Sequence, residues 1–197
     1  MNREQFTQAI RTACTCLEEP HVVIFGSQSI LGSFDEDQLP EEASRSREVD
    51  MIPWRYFNGD LTEEQLEHRF NVLETFVGED SPFHHEYGIY VEAVHKDTVI
   101  LPHQWDNRLV RFEVRKPDAD FSHQGLCLDP IDLCVAKSIA GRPKDHEFVR
   151  ALIEAQLIEP AEIRGRIDEY GIEWPAIYSD EHCDLATTRA LNWLNQF

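Results

Sequence analysis

The sequence predicts an α/β protein whose front half builds a sheet and whose back half is helical, and three observations carry that prediction. A short apolar run, His21 to Phe25, stops abruptly at Gly26-Ser27. Further on, Glu48-Val49-Asp50-Met51-Ile52 alternates acid with apolar residue at the period of a strand. Beyond Leu126-Cys127-Leu128, four successive stretches read as helices.

Taken in order, Glu4 to Leu17 sets Phe6, Ala9, Ile10, Ala13 and Leu17 at helical spacing, and Pro20 closes the segment. The strand His21 to Phe25 follows, and Gln28 to Gly32 can start a second helix. An acidic loop then runs from Asp35 to Glu42. In the next strand a period of two puts Glu48 and Asp50 on one face and Val49 and Met51 on the other. Thr62 to Phe76 opens with polar residues and continues as an amphipathic helix. Strands are expected over Tyr87 to Val94 and Leu109 to Arg115. The four closing helices are expected over Pro130 to Ala140, His146 to Ala155, Pro160 to Tyr170 and Asp184 to Asn195.

A chain of 197 residues suits one domain or a compact core with a helical extension. The expected organisation is a core over 1–125 and a helical region over 126–197 packed on it, as one compact unit. Hydrophobic residues at 42% and charged residues at 28% fit a folded body. The formal charge of −19 repels polyanions at long range, which argues against non-specific nucleic-acid binding and favours a basic macromolecular partner. A small anion can still bind where cations and metal-binding carboxylates gather locally. Arg3, Glu4, Arg11 and Glu18 interrupt the first segment, so it lacks the apolar core of a signal peptide, and no stretch approaches a membrane span. Five cysteines without paired spacing are expected to be reduced thiols, as in a cytoplasmic protein.

Two features suit phosphoryl-transfer chemistry. Glu48 and Asp50 offer hard oxygen ligands for a magnesium ion. In Phe25-Gly26-Ser27-Gln28 a glycine and a small hydroxyl residue let backbone N–H groups approach phosphate. A strand ending in Gly26-Ser27, then a helix, a variable loop and the acid-apolar-acid Glu48-Val49-Asp50, resembles the signature of polymerase-beta-like nucleotidyltransferases. Downstream, Asp132 to Asp145, with Lys137, Arg142, Lys144 and Asp145, resembles the Lys, Arg and Asp helix motif of AbiEii-like bacterial toxin nucleotidyltransferases and their uncharacterised relatives. The resemblance spans about Val22 to Leu157. It departs from the usual pattern at Glu48, where Asp is more common.

The resemblance implies a mixed sheet with flanking helices and a magnesium-dependent transfer of a nucleoside monophosphate to a hydroxyl of RNA, such as a tRNA end, or of protein. It also implies a setting as the toxin of a toxin–antitoxin pair with a cognate antitoxin. Gly26 and Ser27 would cradle the nucleoside triphosphate, Glu48 and Asp50 would hold metal, and Lys137, Arg142 and Lys144 would meet phosphate. Asp145 would be a catalytic or orienting carboxylate, and either Glu92, an isolated acid in Tyr87 to Glu92, or Asp145 would serve the acceptor hydroxyl. From Lys137 to Arg150 four cations outnumber two acids, a local excess that an anion site requires.

Simpler readings stand beside each assignment. Gly26-Ser27 could be a bare turn, Glu48 and Asp50 the solvated face of an edge strand, and Lys137 and Arg142 a snorkelling lysine and a charge at a helix end. An inactive member of the same fold, or an acidic scaffold that neutralises a basic partner, would also fit the composition. The acids between Asp35 and Glu42 read as solvated surface, His84-His85-Glu86 as a loop or strand edge, and the four tryptophans as packing residues.

Overall fold

Asn2 caps helix α1 (Arg3–Leu17) by accepting from the N–H of Gln5, whose own side chain returns the bond to the cap. The computed structural model describes residues 1–57, 59, 61–115 and 122–197. Strand β1 (His21–Ile24) follows, and its three apolar residues after His21 are buried. The chain past Gly26 tightens into a 3-10 turn over Ser27–Gly32, not an α-helix. The acidic stretch stays exposed at Asp35, Glu36 and Asp37 and forms only the short α2 (Glu41–Ser44). Then come β2 (Glu48–Pro53), α3 (Trp54–Phe57) and α4 (Glu63–Val77), the last begun by a Thr62–Gln65 capping box.

His84, His85 and Glu86 lie on a helix, α5 (Pro82–Tyr87), where a loop or strand edge was expected. Ser81 caps it through the N–H of His84, and Pro82 at its first position is pre-set for helical φ. The strand expected from Tyr87 therefore begins later, as β3 (Tyr90–Ala93). After β4 (Leu101–Pro102) come β5 (Val110–Arg115) and β6 (Ser122–Cys127). Strand β6 continues through residue 127, so the change expected at residue 126 falls inside a strand. The closing elements are α6 (Pro130–Ala140), α7 (Pro143–Glu154), α8 (Pro160–Tyr170), β7 (Ile172–Glu173) and α9 (Asp180–Leu194).

Five strands form a mixed sheet in the order β3-β2-β1-β6-β5. β1 runs antiparallel to β2 and parallel to β6, β2 runs parallel to β3, and β5 runs antiparallel to β6. A second, two-stranded sheet pairs β4 with β7. Helix α1 packs on the main sheet beside α4, while α6 touches α7, α8 and α9, the 3-10 turn after β1, and β4. One hydrophobic cluster runs from Phe6 and Ile10 through Val23, Met51 and Leu133 to Leu194. Cys14, Cys16, Cys127, Cys134 and Cys183 are all free thiols. Among the described residues, no helix is long and apolar enough to cross a membrane.

Candidate active site

The alternation in β2 turns Val49 and Met51 into the core, both fully buried, and leaves Glu48 and Asp50 half-buried on the opposite face. Parallel pairing with β3 sets Glu48 beside Tyr90 and Asp50 beside Glu92. Because paired positions share a face, the isolated acid of β3 joins the two of β2. Carboxylate oxygens of Glu48, Asp50 and Glu92 all lie within 4.8 Å of one another. Tyr90, on the same face two positions before Glu92, donates its hydroxyl to Glu48 Oε2 at 3.3 Å.

Three carboxyls so close cannot all ionise at ordinary pKa. Burial, then the Glu48 charge, pushes Asp50 up to about 7. A hydrogen bond with Glu48, reinforced by burial, pushes Glu92 up to about 6. Burial acts against the Glu48 charge too, but hydrogen bonds from Glu92 and Asp50, the charge of Lys144 and the Tyr90 hydroxyl outweigh it and hold Glu48 below the usual carboxylate range. This clustered all-oxygen donor set fits a hard divalent cation such as magnesium.

Gly26 sits against this cluster with φ +61°, a left-handed conformation. A Cβ there would lie 1.6 Å from Asp50 Oδ2, so only glycine lets the backbone pass the carboxylate. Below it, the Phe25 N–H donates to the Asp50 carbonyl at 3.0 Å, continuing the strand pairing to the turn.

The cations come from the corner between α6 and α7. Gly141, at φ +63°, ends α6 with its N–H on the Lys137 carbonyl, and Pro143 starts α7 after Arg142. That tight corner folds Asp145 back against Lys137. Lys137 Nζ donates to Asp145 Oδ1 at 3.1 Å and lies 4.6 Å from the Phe148 ring centroid. Arg142 Nε donates to Asp145 Oδ2 at 2.5 Å, and its Nη2 to Oδ1 at 3.3 Å. Burial would raise the Asp145 carboxyl, but Arg142 and Lys137 together hold it below the usual range. Asp145 is fully buried while the Arg142 side chain is 61% exposed, so the acid anchors Arg142 with its outward face available and holds Lys137 within the wall.

A cavity of about 460 Å³ brings these parts together. Its lining combines Gly26, Glu48, Asp50 and Glu92 with Lys137, Arg142 and Lys144, and Val94, Val99, Ile100, Leu128, Leu133 and Ala136 are among the apolar residues that complete it. Ser27 and Asp145 are not in the lining: Ser27 begins the 3-10 turn, and Asp145 sits behind the two cations it binds. Sequence reasoning passed over Tyr90 and the apolar wall. Tyr90 could have been found from the period of two that selects Glu92, whereas the wall comes from segments far apart in the chain.

A family model described as a nucleotidyltransferase of unknown function (DUF6036) matches residues 4–174. No curated protein and no solved structure gives a significant match.

Proposed function

The chain belongs to this nucleotidyltransferase family, and from that premise we propose that it is a magnesium-dependent enzyme which moves a nucleoside monophosphate from a nucleoside triphosphate to a hydroxyl. The observation that carries the reading is the meeting, in the lining of one cavity, of three clustered carboxylates with Lys137, Arg142 and Lys144. Glu48 and Asp50 hold the metal, whose part is to neutralise triphosphate charge and polarise the reacting phosphorus.

The protein's own groups do the positioning. Gly26 lets the triphosphate come close to the backbone beside Asp50. Arg142 and Lys144 face the phosphates, and Lys137 adds positive charge from within the wall. Asp145 is a positioning residue that holds Lys137 and Arg142 in place. Glu92 accepts the proton of the attacking hydroxyl. The new bond joins that oxygen to the α-phosphorus, the bond from the α-phosphorus to the bridging oxygen breaks, and pyrophosphate leaves with the electron pair. A toxin role, with a protein or RNA acceptor, is the biological setting suggested by the resemblance of the Lys137 to Asp145 segment.

The test is thermal unfolding of the wild type and of Asp50→Ala with each common nucleoside triphosphate, with and without magnesium. One nucleotide is expected to raise the wild-type midpoint only when magnesium is present, and Asp50→Ala to abolish the rise. Equal shifts in both proteins, or none in either, would remove the proposal.

A further inference from the structure

Helix α9 lies beyond residues 4–174, the span that the family model matches, and it packs on α6, the helix that carries Lys137. Ala186, Ala190, Trp193 and Leu194 form its buried face. Arg189 and Trp193 stand one helical turn apart and therefore project to the same side of α9. Each grips a different arm of the α6–α7 corner. Arg189 Nη2 donates to the Ile139 carbonyl at 3.2 Å. That carbonyl lies in the last turn of α6, and the residue four further on is Pro143, which has no N–H to offer it. A Cβ at Gly141 would lie 3.1 Å from Arg189 Nη2 and 3.3 Å from Nε, so the guanidinium lies across the glycine whose φ of +63° turns the chain. Trp193 stacks on His146, the residue after Asp145, with ring centroids 4.0 Å apart and planes 4° from parallel. The end of α9 is itself tied to α8, where Arg164 Nη1 donates to the Leu194 carbonyl at 2.7 Å.

The corner needs bracing of this kind. Lys137 and Arg142 share one carboxylate, Asp145, and their like charges repel. Gly141 has no side chain to stiffen the turn between them, so what lies against that turn decides the direction of Arg142. A cation at the end of α6 is also favoured by the helix dipole, which strengthens the hold of Arg189 there. Neither Arg189 nor Trp193 lines the cavity that holds Arg142 and Lys144.

Resting on the nucleotidyl-transfer reading above, we propose that α9 is a clamp on the phosphate-binding corner, with Arg189 and Trp193 as positioning residues. Arg189 fixes the end of α6 and the turn at Gly141, and Trp193 fixes the first turn of α7. Between them Arg142 keeps the direction in which it meets the triphosphate.

A double-mutant cycle tests this, because residues that act through one another lose additivity. The full-length protein with magnesium is titrated calorimetrically with ATP, GTP, CTP and UTP, and the tightest of the four is then used for Arg189→Met, Arg142→Met and the double variant. Arg189→Met is expected to weaken binding at least about fivefold, since a misdirected Arg142 forfeits part of a charge-assisted bond to phosphate. In the Arg142→Met background the same change should weaken it less than about twofold. His146→Ala, which removes the ring that Trp193 stacks on, should follow the same pattern. Leu17→Ala opens the core at the far end of β1 from Gly26, and should lower the melting temperature while leaving affinity within about twofold of wild type. Weakening by Arg189→Met or His146→Ala that is equal in both backgrounds, or absent in both, would overturn the clamp. A loss in Leu17→Ala as large as in Arg189→Met would overturn it too, by tracing the effect to stability. If a nucleotide binds but the coupling is missing, the clamp falls alone. If no nucleotide binds the wild type, the transfer reading falls with it.

Discussion

At the scale of single residues, the dominant fact is the crowding of negative charge at Glu48, Asp50 and Glu92. In the metal-free protein Asp50 and Glu92 keep protons that the unfolded chain has already released, because their folded-state pKa values are raised to about 7 and about 6. Between the ordinary carboxylate range and pH 7 the native state binds more protons than the unfolded state, so these groups make stability fall as pH rises through that window. Asp50→Asn removes the larger part of this cost. Without metal, the variant is expected to be more stable than the wild type by more than about 1 kcal/mol at pH 8, and the difference should close toward pH 4. Paired urea titrations across that range measure it, and a pH-independent difference would contradict the crowded-carboxylate account. The acid pair of β2 was legible in the sequence because period-two alternation is local. The anchoring role of Asp145 was not, since it depends on the α6–α7 corner bringing the acid onto Lys137 and Arg142.

At the scale of elements, the site is a meeting of strand ends and a helix corner. β2 and β3 contribute the acids through parallel register, the turn after β1 contributes Gly26, and the α6–α7 corner contributes the cations. Gly26→Ala strikes the first meeting point, because its Cβ would overlap Asp50 Oδ2 and its φ of +61° disfavours a side chain. The substitution is expected to cost about 1–3 kcal/mol in unfolding free energy. It should also abolish the magnesium-dependent nucleotide shift, whereas Gly59→Ala, at φ +69° in open space, should leave that shift intact. Helix boundaries show which local signals can be trusted. Pro130–Ala140 and Pro160–Tyr170 match the expected spans because proline starts and glycine stops are encoded in place. The His84-His85-Glu86 segment was misread because a six-residue helix shows less than two turns of periodicity.

At the scale of the whole molecule, the charge of −19 should govern encounters with polyanions. Filter binding of single- and double-stranded RNA at about 50 mM salt, where non-specific contacts are strongest, is expected to show no retention above micromolar background. Tight salt-dependent binding would mean that the local cations around Arg142 dominate the global field, and would favour an RNA acceptor.

The sequence by itself determined the fold class, membership of a nucleotidyltransferase family and the alternating acids on one strand, because each is written in local patterns of period, turn residue and motif. Only the tertiary structure decided that Glu92 stands beside Asp50, that Asp145 lies behind Lys137 and Arg142, and that Trp174 and Glu173 line a second cavity that shares Phe25 and Val99 with the first. Those facts follow from parallel register between β2 and β3, from a helix corner, and from the pairing of β4 with β7 across some seventy residues of chain, whose register no local pattern encodes.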